Sequence, residues 1–377
     1  MRSAGAAVAG VGTTLSGRKV LVTGHSGFKG GWLCLWLQAL GAEVYGIALP
    51  PREGPSLFHS ARLHRVMDGR FADIRDPAAL AKAAHDIDAE LVFHLAAQPI
   101  VRRSQRDPAE TFAVNVSGTA HVLDLARSMP SLRAVVVVTS DKCYRNDEWV
   151  WPYRETDALG GHDPYSASKA CAELVVESYR STYFADPTGP QLATVRAGNV
   201  IGGGDQGEDR LVPDIVRAAR SGAAMVLRNP GSVRPWQHVL EPLRGYLMLA
   251  ERLIGVDAAT YAGAWNFGPD IAQSVDVETV AAALMAHLGI RRSARLGERT
   301  TATGGEARLL RLDSSKAASL LGWRPRLSFD DTMAFTGDWY AAELAGNADM
   351  AAFTNRQLAT YRALVAPAPS EELQECA

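Results

Sequence analysis

A glycine-rich loop between a short apolar strand and a helix restricts the fold of this sequence more than any other feature. The run from Arg18 to Thr23 is too short for a helix and is typical of a buried parallel strand. A Gly-x-x-Gly-x-x-Gly segment at 24–30 follows, and apolar residues then recur at helical spacing from Trp32 to Leu40. This order of strand, glycine turn and helix predicts the first unit of an alternating α/β fold.

The loop at 24–30 has the properties that a diphosphate requires. One glycine permits a tight turn, a second lets the backbone approach a pyrophosphate, and a third lets the helix pack on the strand. The helix N-terminus adds free N–H groups and the positive end of the helix dipole. We therefore expect the loop to bind a dinucleotide cofactor. The expected contacts are Gly24, Ser26, Gly27, Phe28, Lys29 and Gly30.

Strand-like and helix-like segments alternate through the first half of the chain. The expected further strands are 43–49, 91–95, 134–139 and 192–196, and the expected helices are 111–127 and 165–184. This alternation predicts a Rossmann-type, doubly wound parallel sheet of the α/β class. After about residue 197 the pattern changes to helical segments, which predict a smaller α-rich C-terminal substrate-binding domain. Those segments are 211–221, 241–254 and 276–288.

The same patterns suggest where the domains begin and end. The expected division is a dinucleotide-binding domain at 17–200, with about 236–270 returning to its sheet, and a substrate-binding domain at 201–235 and 271–365. The small-residue start, 1–16, lacks the leucine-rich core of a signal peptide and is expected to be a flexible leader. The Pro- and Glu-rich end, 366–377, is expected to be a loose tail.

Charge and cysteine content exclude several classes of protein. The 377 residues include 39 Lys and Arg and 41 Asp and Glu, so no global positive field attracts nucleic acid or a membrane. No apolar run is long enough to span a bilayer. The four cysteines, at 34, 143, 171 and 376, form no Cys-x-x-Cys pair and no zinc-like spacing with histidine. These features predict a cytoplasmic protein without a bound metal.

The expected end of the second strand leaves the type of dinucleotide open. An acidic residue there usually binds the adenosine ribose of NAD. Here the strand is followed by Pro50, Pro51 and Arg52, and a guanidinium at that point suits a 2′-phosphate. NAD and NADP therefore both remain possible. Asp73 and Ile74 stand where such folds place an acid near adenine, and a solvated loop aspartate explains Asp73 nearly as well.

A tyrosine and a lysine occupy one face of the helix expected at 165–184. Tyr165 and Lys169 are four residues apart, so their side chains are neighbours on a helix. A nearby ammonium lowers the pKa of a phenol, which makes tyrosine a usable base toward a sugar hydroxyl. The pair follows a valine-rich strand that ends at Ser140. The glycine loop, this serine and the Tyr–Lys pair occur together in one chain, so a chance pair on a surface helix is not the expected explanation.

These motifs resemble those of the extended short-chain dehydrogenase/reductase superfamily over about residues 17–340. The further matching segments are His94–Gln98, Asn115–Thr119, Arg196–Val200 and Arg234–Val239. The resemblance implies that Ser140 hydrogen-bonds the substrate hydroxyl and that Leu95, Ala96 and Ala97 line the cofactor with Tyr165 and Lys169. It also implies a homodimer or higher homo-oligomer, built through the helices 111–127 and 165–184.

The superfamily's substrates include nucleotide sugars, and the resemblance implies a set of residues that contact such a substrate. Arg234 is the strongest candidate because a guanidinium binds phosphate through two hydrogen bonds. The other expected contacts are Gln98, Ser104, Asn115, Asn199 and Arg210. Trp236 is expected to fill the core, and His94 to orient a loop.

Asp141 and Lys142 distinguish this sequence within the superfamily. An acid and a base next to the serine resemble the sugar-nucleotide 4,6-dehydratases, where an aspartate protonates the departing hydroxyl and its neighbour takes the carbon-5 proton. The Asp-Lys pair, the Gly-Phe-Lys-Gly loop at 27–30 and the segment Asp163–Lys169 together resemble the CDP-glucose 4,6-dehydratase family. The resemblance implies an NAD-dependent hydro-lyase of deoxysugar biosynthesis that acts on CDP-glucose.

The ionisation of this pair constrains the mechanism. Asp141 must carry a proton to act as an acid, and Lys142 must be neutral to act as a base. An ordinary ion pair has both in the opposite state. Lys142 is therefore either the base or an electrostatic stabiliser of the enolate. A 4-epimerase, a dehydratase for a dTDP- or GDP-sugar, and a catalytically silent dinucleotide sensor remain as alternatives.

Overall fold

The computed structural model describes residues 11–51, 53–223, 226–227, 229–270, 273–290, 295–296 and 309–366. At its centre lies a parallel sheet of seven strands. The strands of the chain are β1 (Lys19–Thr23), β2 (Glu43–Ala48), β3 (Asp68–Phe71), β4 (Leu91–His94), β5 (Ala134–Val138), β6 (Gln191–Ala197), β7 (Val200–Ile201), β8 (Val226–Leu227), β9 (Val233–Arg234), β10 (Gln237–His238), β11 (Gly263–Phe267), β12 (Val275–Asp276) and β13 (Arg295–Leu296).

The strand order of the central sheet is β11-β6-β5-β4-β1-β2-β3. The order from β3 to β6 is that of the Rossmann fold, and β11 extends the sheet beyond β6. The direction of winding reverses between β1 and β4, so the connections leaving these two strands diverge and open a crevice at their carboxyl ends. The prediction of a Rossmann-type doubly wound parallel sheet is confirmed.

Strand β5 shows why the sequence pattern indicated a strand covered on both faces. Val135 and Val137 belong to one buried hydrophobic cluster, and Val136 and Val138 belong to another. Successive side chains of a strand point to opposite faces, so the two clusters are the two layers of the core. Because neither face meets water, a continuous apolar run replaces the usual polar alternation.

The helices are α1 (Phe28–Ala39), α2 (Leu57–Ser60), α3 (Pro77–Ala83), α4 (Val101–Arg106), α5 (Pro108–Phe112), α6 (Gly118–Arg127), α7 (Pro164–Thr182), α8 (Leu211–Ser221), α9 (Leu240–Leu253), α10 (Val277–His287), α11 (Phe329–Ala345) and α12 (Met350–Val365). A π-helical segment, Ala113–Ser117, joins α5 to α6, so the helix expected at 111–127 begins at Pro108 instead. The proline fits there because the first helical residue has no hydrogen-bond partner for an N–H group.

The second half of the chain packs against the sheet. Strand β11 pairs with β6 at the edge of the sheet, within the segment 236–270. The helices α8, α10 and α11 bury Val216, Leu284 and Trp339 in the same hydrophobic cluster as Val136 of β5. One face of the sheet is therefore continuous with the C-terminal helices. The division into two domains at the expected boundaries stays a prediction.

The described part of the expected leader is folded. Leu15 is completely buried in the cluster that covers one face of the sheet. The Thr14 hydroxyl donates to Glu251 of α9 at 3.0 Å. The packed chain thus includes residues 11–16, which we had expected to be flexible. Residues 1–10 and the tail from 367 to 377 lie outside the described residues.

Candidate active site

The crevice at the carboxyl ends of β1, β4 and β5 brings together the principal site residues expected from the sequence. The glycine loop follows β1, Leu95 follows β4, and Ser140 follows β5. Helix α7 lies beside the end of β5, where the Lys169 ammonium donates to the Val138 carbonyl at 3.2 Å. Because parallel strands end at the same edge of a sheet, one site can use residues from all three connections.

Two glycines of the loop stand where a side chain would collide with neighbouring backbone. Gly24 has a φ of 80°, and a Cβ at this residue would lie 2.7 Å from the Ala96 amide nitrogen. A Cβ on Gly30 would lie 2.2 Å from the Gly24 carbonyl oxygen. No side chain of the described residues caps the N-terminus of α1, which begins after Gly27. This bare cradle and its open helix N-terminus fit the diphosphate of a dinucleotide.

Hydrogen bonds from neighbouring residues fix the glycine loop and the loop after β4. The Ser26 hydroxyl donates to the Leu49 carbonyl at 2.8 Å, which ties the loop to the end of β2. The amide groups of Leu95 and Ala96 both donate to the Thr23 hydroxyl at 3.2 Å. His94 contacts that hydroxyl through Nδ1 at 2.7 Å, and burial lowers its pKa to about 3. The imidazole contacts Thr23 and Thr119, and the expected role of His94 in orienting this loop stays a prediction.

The adenine end of the expected cofactor site is described only in part. Asp73 forms an ion pair with Arg75, with an N–O distance of 2.6 Å, and hydrogen bonding from Arg75 lowers the pKa of the carboxyl group. Ile74 packs in the hydrophobic cluster beneath Gly118. Arg52, the residue considered for a 2′-phosphate, lies outside the described residues. The contacts of Asp73 and Ile74 with adenine stay a prediction.

The connection after β5 places three polar residues at the crevice. Ser140 donates to Asp141 Oδ1 at 2.9 Å and accepts from the Lys142 amide at 3.2 Å. Asp141 is buried, and its second oxygen, Oδ2, has no hydrogen-bond partner among the described residues. A buried polar atom is normally paired, so this oxygen is available to a ligand group. The Lys142 side chain is partly exposed.

Tyr165 and Lys169 lie one turn apart near the start of α7. The helix is capped by Asp163, whose carboxylate accepts from the Ser166 amide at 3.1 Å. Both side chains are buried: the exposed fraction is 7% for Tyr165 and 5% for Lys169. Burial lowers the pKa of Lys169 to about 8 and raises the pKa of Tyr165 to about 12. The spacing in the sequence therefore produced the expected pair of neighbours.

The electrostatic relation within the pair differs from the expectation. We expected the Lys169 ammonium to lower the pKa of the phenol. In the structure burial dominates and raises this pKa, while hydrogen bonding to Ser140 and the charge of Arg210 act in the lowering direction. Lys169 instead donates to the Val138 carbonyl. Arg210, which the sequence analysis assigned to substrate binding, is the cation whose charge lowers the pKa of Tyr165 here, and the assistance of Tyr165 by Lys169 stays a prediction.

Lys29 belongs to the same group of charges, although we expected it only at the diphosphate. Its pKa is lowered to about 8, first by burial and then by the positive charges of Arg210 and Lys169. The carboxylates of Asp141 and Asp205 act in the raising direction. Arg210 is held by Asp205 at an N–O distance of 3.0 Å. The crevice thus contains three cations and two carboxylates close together.

Three residues expected to contact substrate form an internal network instead. Asn115 accepts from the Gln98 amide at 2.9 Å and donates to the Ser168 hydroxyl at 2.9 Å. The Gln98 side chain donates to Thr111 at 2.9 Å. Ser104 accepts from the Tyr165 amide at 3.1 Å. These groups join the loop after β4 to α7, so the structure gives them a positioning role, and direct contact with substrate stays a prediction.

Asn199 and Arg234, like Arg210, are expected substrate residues on the connections after β6. Arg234 is buried on β9, and its guanidinium donates to the Val233 carbonyl at 3.0 Å. Asn199 is half-buried, and its carbonyl accepts from the Gln237 amide at 3.0 Å. Trp236 is buried in the core, as expected, and donates to the Val275 carbonyl at 3.2 Å. The contacts of Asn199 and Arg234 with a nucleotide stay a prediction.

Two residues of this region were not found from the sequence. Asp205 follows a triple-glycine turn. In the sequence only its position, five residues before the basic Arg210, indicated a partner for that arginine. Glu173 had a clearer indication, because Tyr165, Lys169 and Glu173 recur every four residues and so share one helical face. The structure buries this glutamate beside the end of β5.

Replacing Lys169 with methionine is expected to stabilise the folded protein at neutral pH. The lowering of its pKa from 10.5 to about 8 corresponds to a cost of about 3 kcal/mol for the buried charge, offset in part by the hydrogen bond to Val138. Below pH 8 the lysine is charged in both the folded and the unfolded protein, so its burial destabilises the fold by this amount. Above pH 10.5 it is neutral in both. The advantage of the variant should therefore shrink as pH rises through this window.

Urea unfolding of both proteins across that window measures this difference. Lys82→Met, at an exposed position on α3, is the matched control and should show no such pH dependence. Parallel pH profiles for wild type and Lys169→Met would show that burial does not penalise the Lys169 charge.

The described residues were searched for metal-binding groups and for membrane-spanning helices. No group of three or more His, Cys, Asp and Glu side chains among them could hold a metal ion. None of the helices described is long and apolar enough to cross a bilayer. Cys34, Cys143 and Cys171 are free thiols, and Cys376 lies outside the described residues.

Relatives of known activity align with most of this sequence. The NAD dependent epimerase/dehydratase family matches residues 20–261, more than half of the chain. CDP-glucose 4,6-dehydratase from Salmonella typhimurium is 45% identical over 350 residues, which cover 92% of this chain and 96% of that protein. UDP-glucose 4-epimerase from Mycolicibacterium smegmatis is 28% identical over 329 residues, with coverage of 85% and 98%.

Solved structures show the same fold at low identity. UDP-glucose 4-epimerase from Thermotoga maritima, solved with UDP-glucose, has a TM-score of 0.74 at 23% identity and covers 86% of this chain and 99% of its own. dTDP-glucose 4,6-dehydratase from Bacillus anthracis, solved with NAD, has a TM-score of 0.70 at 21% identity, with coverage of 88% and 98%. The family match and the 45% identical relative confirm the resemblance found in the motifs, and this chain belongs to the NAD dependent epimerase/dehydratase family.

Proposed function

We propose that this chain is a hydro-lyase that converts CDP-glucose to CDP-4-keto-6-deoxyglucose with bound NAD. One observation supports this above the others: Asp141 presents a buried carboxyl oxygen beside Ser140 and next to the Tyr165 helix, with no partner among the residues that the structure describes. Elimination of water requires an acid at this position in addition to the tyrosine. The 45% identity with a CDP-glucose 4,6-dehydratase supports the same assignment.

Each proposed step uses a residue of the crevice. Ser140 holds the carbon-4 hydroxyl of glucose, and Tyr165 takes its proton. NAD bound at the glycine loop would supply the hydride acceptor for carbon 4 and the hydride donor for carbon 6. The new ketone acidifies the carbon-5 proton, on which Lys142 acts as base or as stabiliser of the enolate. Asp141 protonates the carbon-6 hydroxyl, which leaves as water, and the final proton returns to carbon 5.

A 4-epimerase is the nearest alternative from the same family. An epimerase oxidises and reduces carbon 4 and releases no water, so it has no need of the Asp141 acid. A catalytically silent sensor needs none of the buried charged groups, whose ionisation burial makes costly. The combination of Asp141, Tyr165 and Lys169 in one crevice therefore favours the dehydratase.

Further properties follow from this assignment. We propose NAD rather than NADP as the cofactor, in agreement with the family to which the chain belongs. A cytoplasmic location agrees with the free thiols of the described part of the chain. A homodimer formed through α6 and α7 stays a prediction, and light scattering of the purified protein tests it.

Incubation with CDP-, dTDP-, GDP- and UDP-glucose is expected to give water loss with CDP-glucose alone. Mass spectrometry detects the product as a nucleotide sugar lighter by one water molecule, because reduction at carbon 6 balances oxidation at carbon 4. The electrons return to the same sugar, so added NAD is needed only in catalytic amount. Asp141→Asn is the matched inactive control, since it preserves the shape of the side chain and removes the acid.

Two results would contradict the proposal in different ways. Formation of CDP-galactose without loss of water would indicate an epimerase. Water loss with another nucleotide but not with CDP-glucose would preserve the reaction and overturn the base assignment.

A further inference from the structure

A buried ion pair beneath the crevice joins three elements of the fold. Glu173 on α7 pairs with Arg196 on β6, and the exposed fractions of the two side chains are 4% and 3%. Arg196 Nε contacts Glu173 Oε1 at 2.8 Å, and Nη2 contacts Oε2 at 2.8 Å. Two parallel hydrogen bonds fix both distance and orientation. The pair therefore locks the Tyr165 helix to the sheet in one geometry.

The carboxylate of Glu173 also binds two threonine hydroxyl groups. The hydroxyl group of Thr139, directly after β5, donates to Oε1, and the two oxygen atoms are 2.5 Å apart. Thr194, within β6, donates to Oε2 at 2.7 Å. Each oxygen thus accepts two hydrogen bonds. A buried charge is tolerated when it is paired and fully hydrogen-bonded, as here.

These contacts hold both ends of the segment that contains the acid and the base. Thr139 stands directly before Ser140. At the other end, Arg196 Nη1 donates to the Tyr144 hydroxyl at 2.8 Å, directly after Cys143. Tyr144 in turn donates to Asn266 on β11 at 2.8 Å. One ion pair therefore fixes residues 140–143 on each side.

The same helical face positions the tyrosine. Tyr165, Lys169 and Glu173 follow one another at four-residue intervals on α7. Lys169 donates to the Val138 carbonyl, one residue before Thr139. Two successive turns of α7 are thus attached to the last residue of β5 and to the residue that follows it. A displacement of the Glu173 carboxylate changes the distance between the acid segment and the tyrosine helix.

We propose that the Glu173–Arg196 pair is a positioning unit that sets Asp141 and Lys142 against the sugar ring held by Tyr165. The inference rests on the proposed dehydratase function. Neither residue of the pair touches substrate in this account, since both lie buried behind the end of β5. Their effect reaches the chemistry through the Thr139 hydroxyl and the Tyr144 phenol.

Two matched substitutions test the positioning role. Thr139→Val and Thr194→Val each remove one buried hydroxyl from the same carboxylate and keep the shape of the side chain. Only Thr139 is attached to the segment 140–143. We expect Thr139→Val to lower kcat about tenfold, with little change in KM, because a small misplacement of catalytic groups is costly. Thr194→Val should lose a similar amount of stability and keep its kcat. Thr139→Ser, which restores the hydroxyl, should recover turnover.

A structural readout keeps this test independent of the substrate. Amide hydrogen exchange of the peptide covering 140–144, followed by mass spectrometry, is expected to quicken in Thr139→Val and to stay as in wild type in Thr194→Val. If wild type fails to act on CDP-glucose, the proposed function fails, and this exchange comparison alone still decides whether Glu173 holds the segment. Equal exchange and equal kcat in both variants would overturn the positioning role.

Discussion

Replacing Tyr165 with phenylalanine is expected to lower turnover of CDP-glucose by about 10³-fold, a typical loss for one general acid–base group. The substitution removes only the phenol oxygen, and the aromatic ring still fills its buried place at the start of α7. Ser140 and Asp141 keep their hydrogen bond, so the substrate is expected to bind as before. kcat therefore falls while KM changes little. Steady-state kinetics with CDP-glucose measure kcat and KM, and equilibrium dialysis of NAD shows that cofactor binding is kept.

Tyr179→Phe is the control for this substitution. Tyr179 lies on the same helix, is partly exposed and packs against the hydrophobic cluster that contains Val176 of that helix. Removing its hydroxyl should leave turnover unchanged. A Tyr165→Phe enzyme that keeps more than about a tenth of wild-type turnover would show that another group takes the proton.

The central sheet and the glycine loop were predictable because their determinants are local. The four valines of 135–138 can fold only where both faces are covered, and Gly24 and Gly30 stand where a Cβ would collide with the backbone. The Tyr165–Lys169 pair was predictable for the same reason, since helical geometry alone brings residues four apart together.

The electrostatics of the crevice were not predictable in this way. The raised pKa of Tyr165 arises from burial, which segments distant in the sequence produce together. The charge of Asp141 acts on Lys29, and the charge of Arg210 acts on Tyr165. These groups are neighbours only because the ends of β1 and β5 and the loop before α8 meet in the crevice. No spacing in the sequence records these neighbours.

The hydrogen bonds of Gln98 and Asn115 within the protein show a second limit of prediction from sequence. Their motifs match those of the superfamily, and the resemblance places them near substrate. Whether an amide group faces a ligand or its own backbone depends on a rotation of the side chain. In the structure Asn115 satisfies the backbone of Gln98 and the hydroxyl of Ser168, so these amides support the loop after β4.

Replacing Lys142 with methionine is expected to stop water elimination, with a loss of about 10²-fold or more in product formation. Methionine has a similar length and can neither accept a proton nor stabilise an anion. Tyr165 and Ser140 are unchanged, so oxidation at carbon 4 is expected to continue. Product formation is followed by mass spectrometry, and oxidation by the ultraviolet absorbance of the nicotinamide. Wild-type product formation in Lys142→Met would remove this lysine from the mechanism.

Lys142→Arg separates the two roles that remain for this lysine. Arginine keeps the positive charge, yet its guanidinium does not deprotonate in proteins and cannot act as a base. Incorporation of solvent deuterium at carbon 5 reports the proton transfer directly. If Lys142 is the base, exchange is lost in both the methionine and the arginine variants. If it stabilises the enolate by its charge, the arginine variant retains exchange. Asp141→Asn is the control for both lysine variants. It should block water loss and leave removal of the carbon-5 proton in place.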